Sequence, residues 1–123
     1  LYMRKNKENN NSSKSGLLHW WHQKITAILL LPATLWFIFI LPVFIELEYK
    51  EKLDWINVTP NYMILSVFFI LSAYHAKLGL TVVIEDYIHN RRSKKILITL
   101  INVIMLLVIF MILSYLFLKG LGK

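Results

Sequence analysis

His75 lies within a long apolar stretch and opens the run His75-Ala76-Lys77-Leu78-Gly79-Leu80-Thr81-Val82-Val83-Ile84-Glu85-Asp86-Tyr87. An imidazole in such surroundings either hydrogen-bonds to a neighbouring helix or gives a nitrogen lone pair to a metal. Where the apolar run ends, an acid and a phenol stand side by side as Asp86 and Tyr87. A carboxylate can orient water for proton delivery, and a neutral phenol can hold an oxygen on which charge develops. The pattern reads as a buried cofactor ligand beneath an interfacial reaction site.

Helical geometry orders these residues. At about 100° per residue, Gly79 falls about 40° from His75, and Val82 and Asp86 fall about 20° from it, so the four share one stripe. Gly79 removes a side chain one turn from the imidazole, which would let a flat macrocycle approach, and imidazole is a good axial ligand for haem iron. A rise of about 1.5 Å per residue puts Asp86 some 16 Å from His75 along the axis, so His75 lies close to the midplane if Asp86 marks the surface. Lys77 projects about 200° from His75 and needs a polar or anionic partner there. On the residues alone each feature keeps a plainer alternative. His75 can serve helix packing, Gly79 can mark a helix contact, and Asp86 and Tyr87 can be an ordinary polar helix end. His19, His22 and His89 sit at span boundaries, where solvated or phosphate-contacting roles are the expectation.

The elements that must position these groups are membrane helices. A 123-residue chain that is 57% hydrophobic is too apolar for an ordinary soluble domain. Residues 25–45, 62–84 and 96–118 each approach the roughly 20 residues needed to cross about 30 Å of hydrocarbon. The expected fold is therefore an all-α membrane protein with three transmembrane helices in an anchor-type bundle, because lipid offers backbone amides no partner outside the helix. Residues 1–18 are polar and read as a disordered tail, residues 19–123 form the anchor domain, and the first apolar run is too long for a cleavable signal.

Pro32 and Pro42 should bend the first span or end its turns. Trp20, Trp21 and Trp36 suit interfaces, and Asn102 suits a hydrogen bond between helices. The absence of cysteine excludes disulfides and thiolate metal sites.

Charge gives the orientation. Arg4, Lys5, Lys7, Lys14 and Lys24 precede the first span, and Arg91, Arg92, Lys94 and Lys95 join the second to the third. The other connection, Glu46 to Pro60, carries four acids against Lys50 and Lys52. By the positive-inside bias the amino terminus faces the cytoplasm or mitochondrial matrix. The net charge of +7 thus follows from topology, with no nucleic-acid recognition module beside it. Three short helices without a nucleophile constellation, nucleotide loop or complete metal site do not make a stand-alone enzyme.

The run from His75 to Tyr87, together with His19-Trp20-Trp21-His22-Gln23-Lys24-Ile25-Thr26-Ala27, resembles the small hydrophobic membrane-anchor subunit of succinate dehydrogenase. The resemblance covers Leu18 to Lys95 in order, and the spacing from His to Asp-Tyr is its most specific element. It implies that His75 is an axial ligand of haem b iron, the second ligand coming from a partner anchor of cytochrome b type. It implies that Tyr87 bonds a ubiquinone carbonyl, that Asp86 positions that site or feeds it protons, and that Trp21 lies beside it. Lys24 stands where the family carries an arginine near the haem propionates, so the charge is kept and the bidentate geometry lost. Gly79 would border the haem.

The implied assembly adds an iron–sulfur subunit and a flavoprotein subunit, which hold the iron–sulfur clusters and FAD. It would work in respiratory electron transfer and the tricarboxylic acid cycle, in a mitochondrial inner or bacterial plasma membrane. Two alternatives stay open: a structural or assembly membrane protein without haem, and the anchor of a related quinone-linked complex such as fumarate reductase.

Overall fold

A computed structural model describes the backbone of residues 2–122 and the side chains of residues 14–122. Four helices follow one another as α1 (Tyr2–Glu46), α2 (Tyr49–Asn57), α3 (Thr59–Tyr87) and α4 (Arg91–Gly120). Three of them contain stretches long and apolar enough to span a membrane: Lys14–Glu46, Thr59–Tyr87 and Arg91–Gly120. The expected spans lie inside these helices, so the all-α, three-span architecture is as read from the sequence. The disorder expected of residues 1–18 falls mostly on side chains outside the described residues; Lys14 to Leu18 belong to α1. Pro32 and Pro42 both lie inside α1, which is one continuous helix through them.

α3 is central and packs against the other three helices. Its N-terminal half meets α1 through Phe37 and Phe68, whose rings stack at 4.7 Å between centroids. Further along, His75 reaches back to Thr26. Low α1 numbers thus pair with high α3 numbers, so the two run antiparallel. α4 folds back along the other side of α3, with Tyr62 edge-on to Tyr115 at one end and Lys94 bonded to the Glu85 carbonyl at the other.

The connections are short and capped. Between α3 and α4, Asn90 caps the new helix by accepting from the amides of Arg92 at 2.9 Å and Ser93 at 3.3 Å. The Lys94 ammonium donates to the Glu85 carbonyl at 3.0 Å, placing a cation at the negative end of the α3 dipole. The other connection, read from the sequence as a loop, contains α2. Glu51 accepts from the Glu48 amide at 2.9 Å and so secures its first turn. Trp55 then turns inward against Phe44 and Trp36, with ring centroids 5.2 Å and 6.3 Å away. Lys50, Glu51 and Asp54 stay exposed, so α2 is an amphipathic cap of the kind that lies along an interface.

Little of the surface is enclosed. Leu78 and Ile84 are the buried hydrophobic residues, and Thr26 and Ser66 the buried polar ones, among the described residues. In lipid this is ordinary, since acyl chains solvate apolar side chains as well as a protein core does.

Candidate functional site

α1 and α3 meet at Thr26, which is only 6% exposed. Its hydroxyl donates back to the His22 carbonyl at 2.8 Å and lies 3.0 Å from the Gln23 carbonyl, the usual resting place of a threonine hydroxyl in a helix. The same oxygen is 2.8 Å from Nδ1 of His75 on α3. One turn nearer the amino terminus of α1, Nδ1 of His22 is 3.0 Å from the hydroxyl of Tyr74. Consecutive α3 residues therefore grip α1 residues one turn apart, and the imidazole of His75 is fixed from one edge.

Its remaining surface lines an open cleft of about 270 Å³ with Trp20, Gln23, Lys24 and Ala27. These α1 residues recur every three or four positions, so they form one helical face. The Lys24 ammonium sits 4.2 Å from the Trp20 ring centroid, a cation–π contact that holds the charge at the cleft. Gly79, one turn from His75 along α3, borders open space: a Cβ built there would meet nothing within 4 Å. His75 and Lys24 thus line one cleft, and Gly79 lies one turn along α3 from the imidazole.

Asp86 and Tyr87 stand apart from that cleft, in the last turn of α3, both exposed. Tyr87 is 76% exposed and makes no hydrogen bond to a described residue, so its hydroxyl is free for an external acceptor. Trp21 is 49% exposed and touches Trp20 edge-on at 5.2 Å. Among the described residues neither a hydrogen bond nor a ring contact joins it to Tyr87.

Two intramembrane polar residues take up unexpected surroundings. Lys77 lies on the α4 side of α3, lining a cleft of about 230 Å³ with Ala73, Ala76, Leu80, Ile101, Ile104, Met105 and Val108. Among the described residues Asn102 does not make the interhelical hydrogen bond its type suggests, and its Oδ1 is enclosed without a partner. Sequence reasoning passed over Thr26 and Tyr74. Both are visible in the sequence, but only the pairing of α1 with α3 shows what they meet. Among the described residues no group of three or more His, Asp or Glu side chains gathers to enclose a metal ion. His75 is a single potential ligand.

A family model described as the succinate dehydrogenase/fumarate reductase transmembrane subunit matches residues 3–115. The chain is 32% identical over 114 residues to the succinate dehydrogenase hydrophobic membrane anchor subunit of Rickettsia conorii, covering 92% of this chain and 90% of that one. The corresponding protein of Rickettsia bellii is 35% identical over 118 residues, with the same coverage. The succinate dehydrogenase membrane anchor subunit of Reclinomonas americana is 33% identical over 95 residues, 75% of this chain and 79% of that one. No solved structure matches the chain significantly.

Proposed function

This chain belongs to the succinate dehydrogenase/fumarate reductase transmembrane subunit family, and we propose that it is an anchor of succinate:ubiquinone oxidoreductase in which His75 ligates haem b and Tyr87 meets ubiquinone. The relatives named above are succinate dehydrogenase anchors, which favours that complex over fumarate reductase. The observation that carries the reading is the His75 imidazole, tied at Nδ1 to Thr26 and bordering the cleft that holds Lys24.

The residues present fit a haem. With Nδ1 engaged, one ring nitrogen of His75 is left to coordinate, which suits an axial position. Lys24 supplies positive charge for carboxylate-bearing propionates, and Gly79 keeps the α3 surface low where a macrocycle would lie. The cleft is open on one side, where a second anchor of cytochrome b type would close it and bring the other ligand. Haem b, when bound, supplies a one-electron store whose potential its ligands and surroundings tune.

The inner end of α3 has a different task. Tyr87 donates its hydroxyl hydrogen to a quinone carbonyl and stabilises the charge that grows on that oxygen during reduction. Asp86 orients water for the accompanying protons. Trp21 walls the same inner surface, while the isoprenoid tail stays in lipid. Flavin and iron–sulfur chemistry belong to the flavoprotein and iron–sulfur partner subunits, which cover this face. Lys14, Lys24, Arg91, Arg92, Lys94 and Lys95 gather at this end, against Glu46, Glu48, Glu51 and Asp54 at the other. That asymmetry supports an amino terminus on the matrix or cytoplasmic side of a mitochondrial inner or bacterial plasma membrane.

The test is a gentle detergent preparation of the wild-type complex and of His75→Ala. The wild type should co-purify with dehydrogenase subunits and show a haem b band in the reduced-minus-oxidised spectrum, and the variant should lose or alter that band. An unchanged band removes the ligand assignment. A wild-type chain that purifies with neither haem nor dehydrogenase subunits leaves a structural or assembly role.

A further inference from the structure

We infer that Thr26 is a positioning residue that holds His75 as the tautomer protonated at Nδ1, leaving Nε2 as the coordinating nitrogen; this rests on the haem reading above. Counting protons carries the inference. The Thr26 hydroxyl has one hydrogen and three close neighbours: the His22 carbonyl at 2.8 Å, the Gln23 carbonyl at 3.0 Å and His75 Nδ1 at 2.8 Å. Carbonyls only accept, so in both of these hydrogen bonds the hydroxyl is the donor. The hydroxyl hydrogen therefore lies in the fork between the two carbonyls. The third contact then has one remaining sense, with Nδ1–H donating to Oγ1.

A ring protonated on both nitrogens offers no lone pair, so the ligating form is the neutral Nδ1–H tautomer with its lone pair at Nε2. Burial of Thr26 keeps water from replacing this partner. A bond of this kind does two things for a metal-bound imidazole. It sets the plane of the ring, and by drawing on the N–H hydrogen it raises the basicity of the opposite nitrogen. A more basic axial ligand favours the ferric state, so the Thr26 contact lowers the haem potential.

Thr26→Val keeps the shape and removes the acceptor, Thr26→Ala removes it without adding bulk should valine disturb packing, and Thr26→Ser restores the hydroxyl. Each is measured in the purified complex for haem b midpoint potential, low-spin EPR g-values and haem retained per complex. Valine and alanine should raise the potential, alter the g-values as the ring turns, and weaken haem affinity by about 10–100-fold. Serine should return all three towards wild type. The inference is overturned if valine and alanine match wild type in potential, g-values and haem content while His75→Ala loses the haem, because Thr26 would then only pack. It also falls if serine behaves as valine does. If His75→Ala keeps its haem, the ligand reading itself fails, a result the Thr26 series alone would not produce.

Discussion

Substituting Tyr87 by phenylalanine deletes a hydroxyl that no described residue bonds, at a position 76% exposed. The α3 terminus is closed by the Ile88 amide, which donates to the Ile84 carbonyl at 3.0 Å without help from the phenol. The substitution should therefore leave folding and assembly as they are, and the whole effect should appear in the quinone reaction. A hydrogen bond to a group that acquires charge contributes about 1.5–3 kcal/mol. At roughly 1.4 kcal/mol per tenfold in rate, quinone reduction should slow by about 10–150-fold.

If the bond forms only as charge develops, kcat carries the loss; if it also holds the resting quinone, KM rises too. The assay compares succinate-driven reduction of a short-tailed ubiquinone with succinate-driven reduction of a soluble artificial acceptor in the same preparation. The second activity should be unchanged, since it bypasses the anchor. Equal loss of both, or loss of neither, refutes a quinone contact at Tyr87.

The remaining tests probe other parts of the chain. Lys24→Met should lower the haem b potential in a redox titration, because a nearby cation opposes the additional positive charge of the ferric state, whereas Lys24→Arg should hold it near the wild-type value. Asn102→Leu removes an enclosed, unpartnered oxygen whose burial costs about 1–3 kcal/mol, so thermal unfolding in detergent should show a neutral or stabilised chain. A destabilised Asn102→Leu complex would mean that a partner subunit satisfies that oxygen. Trp55→Ala deletes the stack on Trp36 and the edge contact with Phe44, together about 1–3 kcal/mol. Hydrogen exchange should quicken across residues 49–57 while the haem spectrum stays unchanged.

Membrane-spanning helices are legible in a sequence because hydrocarbon imposes one rule, an apolar run of sufficient length with its amides bonded internally. The three spans followed from that rule alone. The same rule is silent on α2, which is too short and polar to span. Its signal was the pair Trp55 and Ile56 among the charges Lys50, Glu51, Lys52 and Asp54, a pattern that is weak in nine residues. His75 was visible by type and Lys24 only through the family resemblance; that both line one cleft came from the packing of α1 on α3. Thr26 was hidden for a geometric reason. A hydroxyl bonded to its own helix looks the same in sequence whether lipid or an imidazole lies beyond it, and only the register of α1 against α3 decides. Asn102 misled because its type promises a bond that requires a donor within reach, and among the described residues none meets its enclosed Oδ1.

The register is itself a consequence of how little this bundle encloses. With Leu78 and Ile84 as the buried hydrophobic residues among those described, apolar packing alone does not choose one sliding position of α1 along α3, since lipid contacts replace helix contacts at nearly equal free energy. Directional contacts must choose it instead. The bonds from Thr26 to His75 and from His22 to Tyr74 sit towards one end, and the stacked rings of Phe37 and Phe68 towards the other. A slip by one turn would break both polar contacts and leave the His75 imidazole without its partner in hydrocarbon, where an unpaired polar group costs several kcal/mol. The imidazole that the proposed haem requires is thus also part of what aligns the helices. That coupling gives a sharp expectation for His75→Ala: beyond losing haem, its α1 should gain freedom to slide. Site-directed spin labels on α1 and α3 should then report a broadened distance distribution, and a distribution as narrow as that of the wild type would show that aromatic stacking suffices to hold the register.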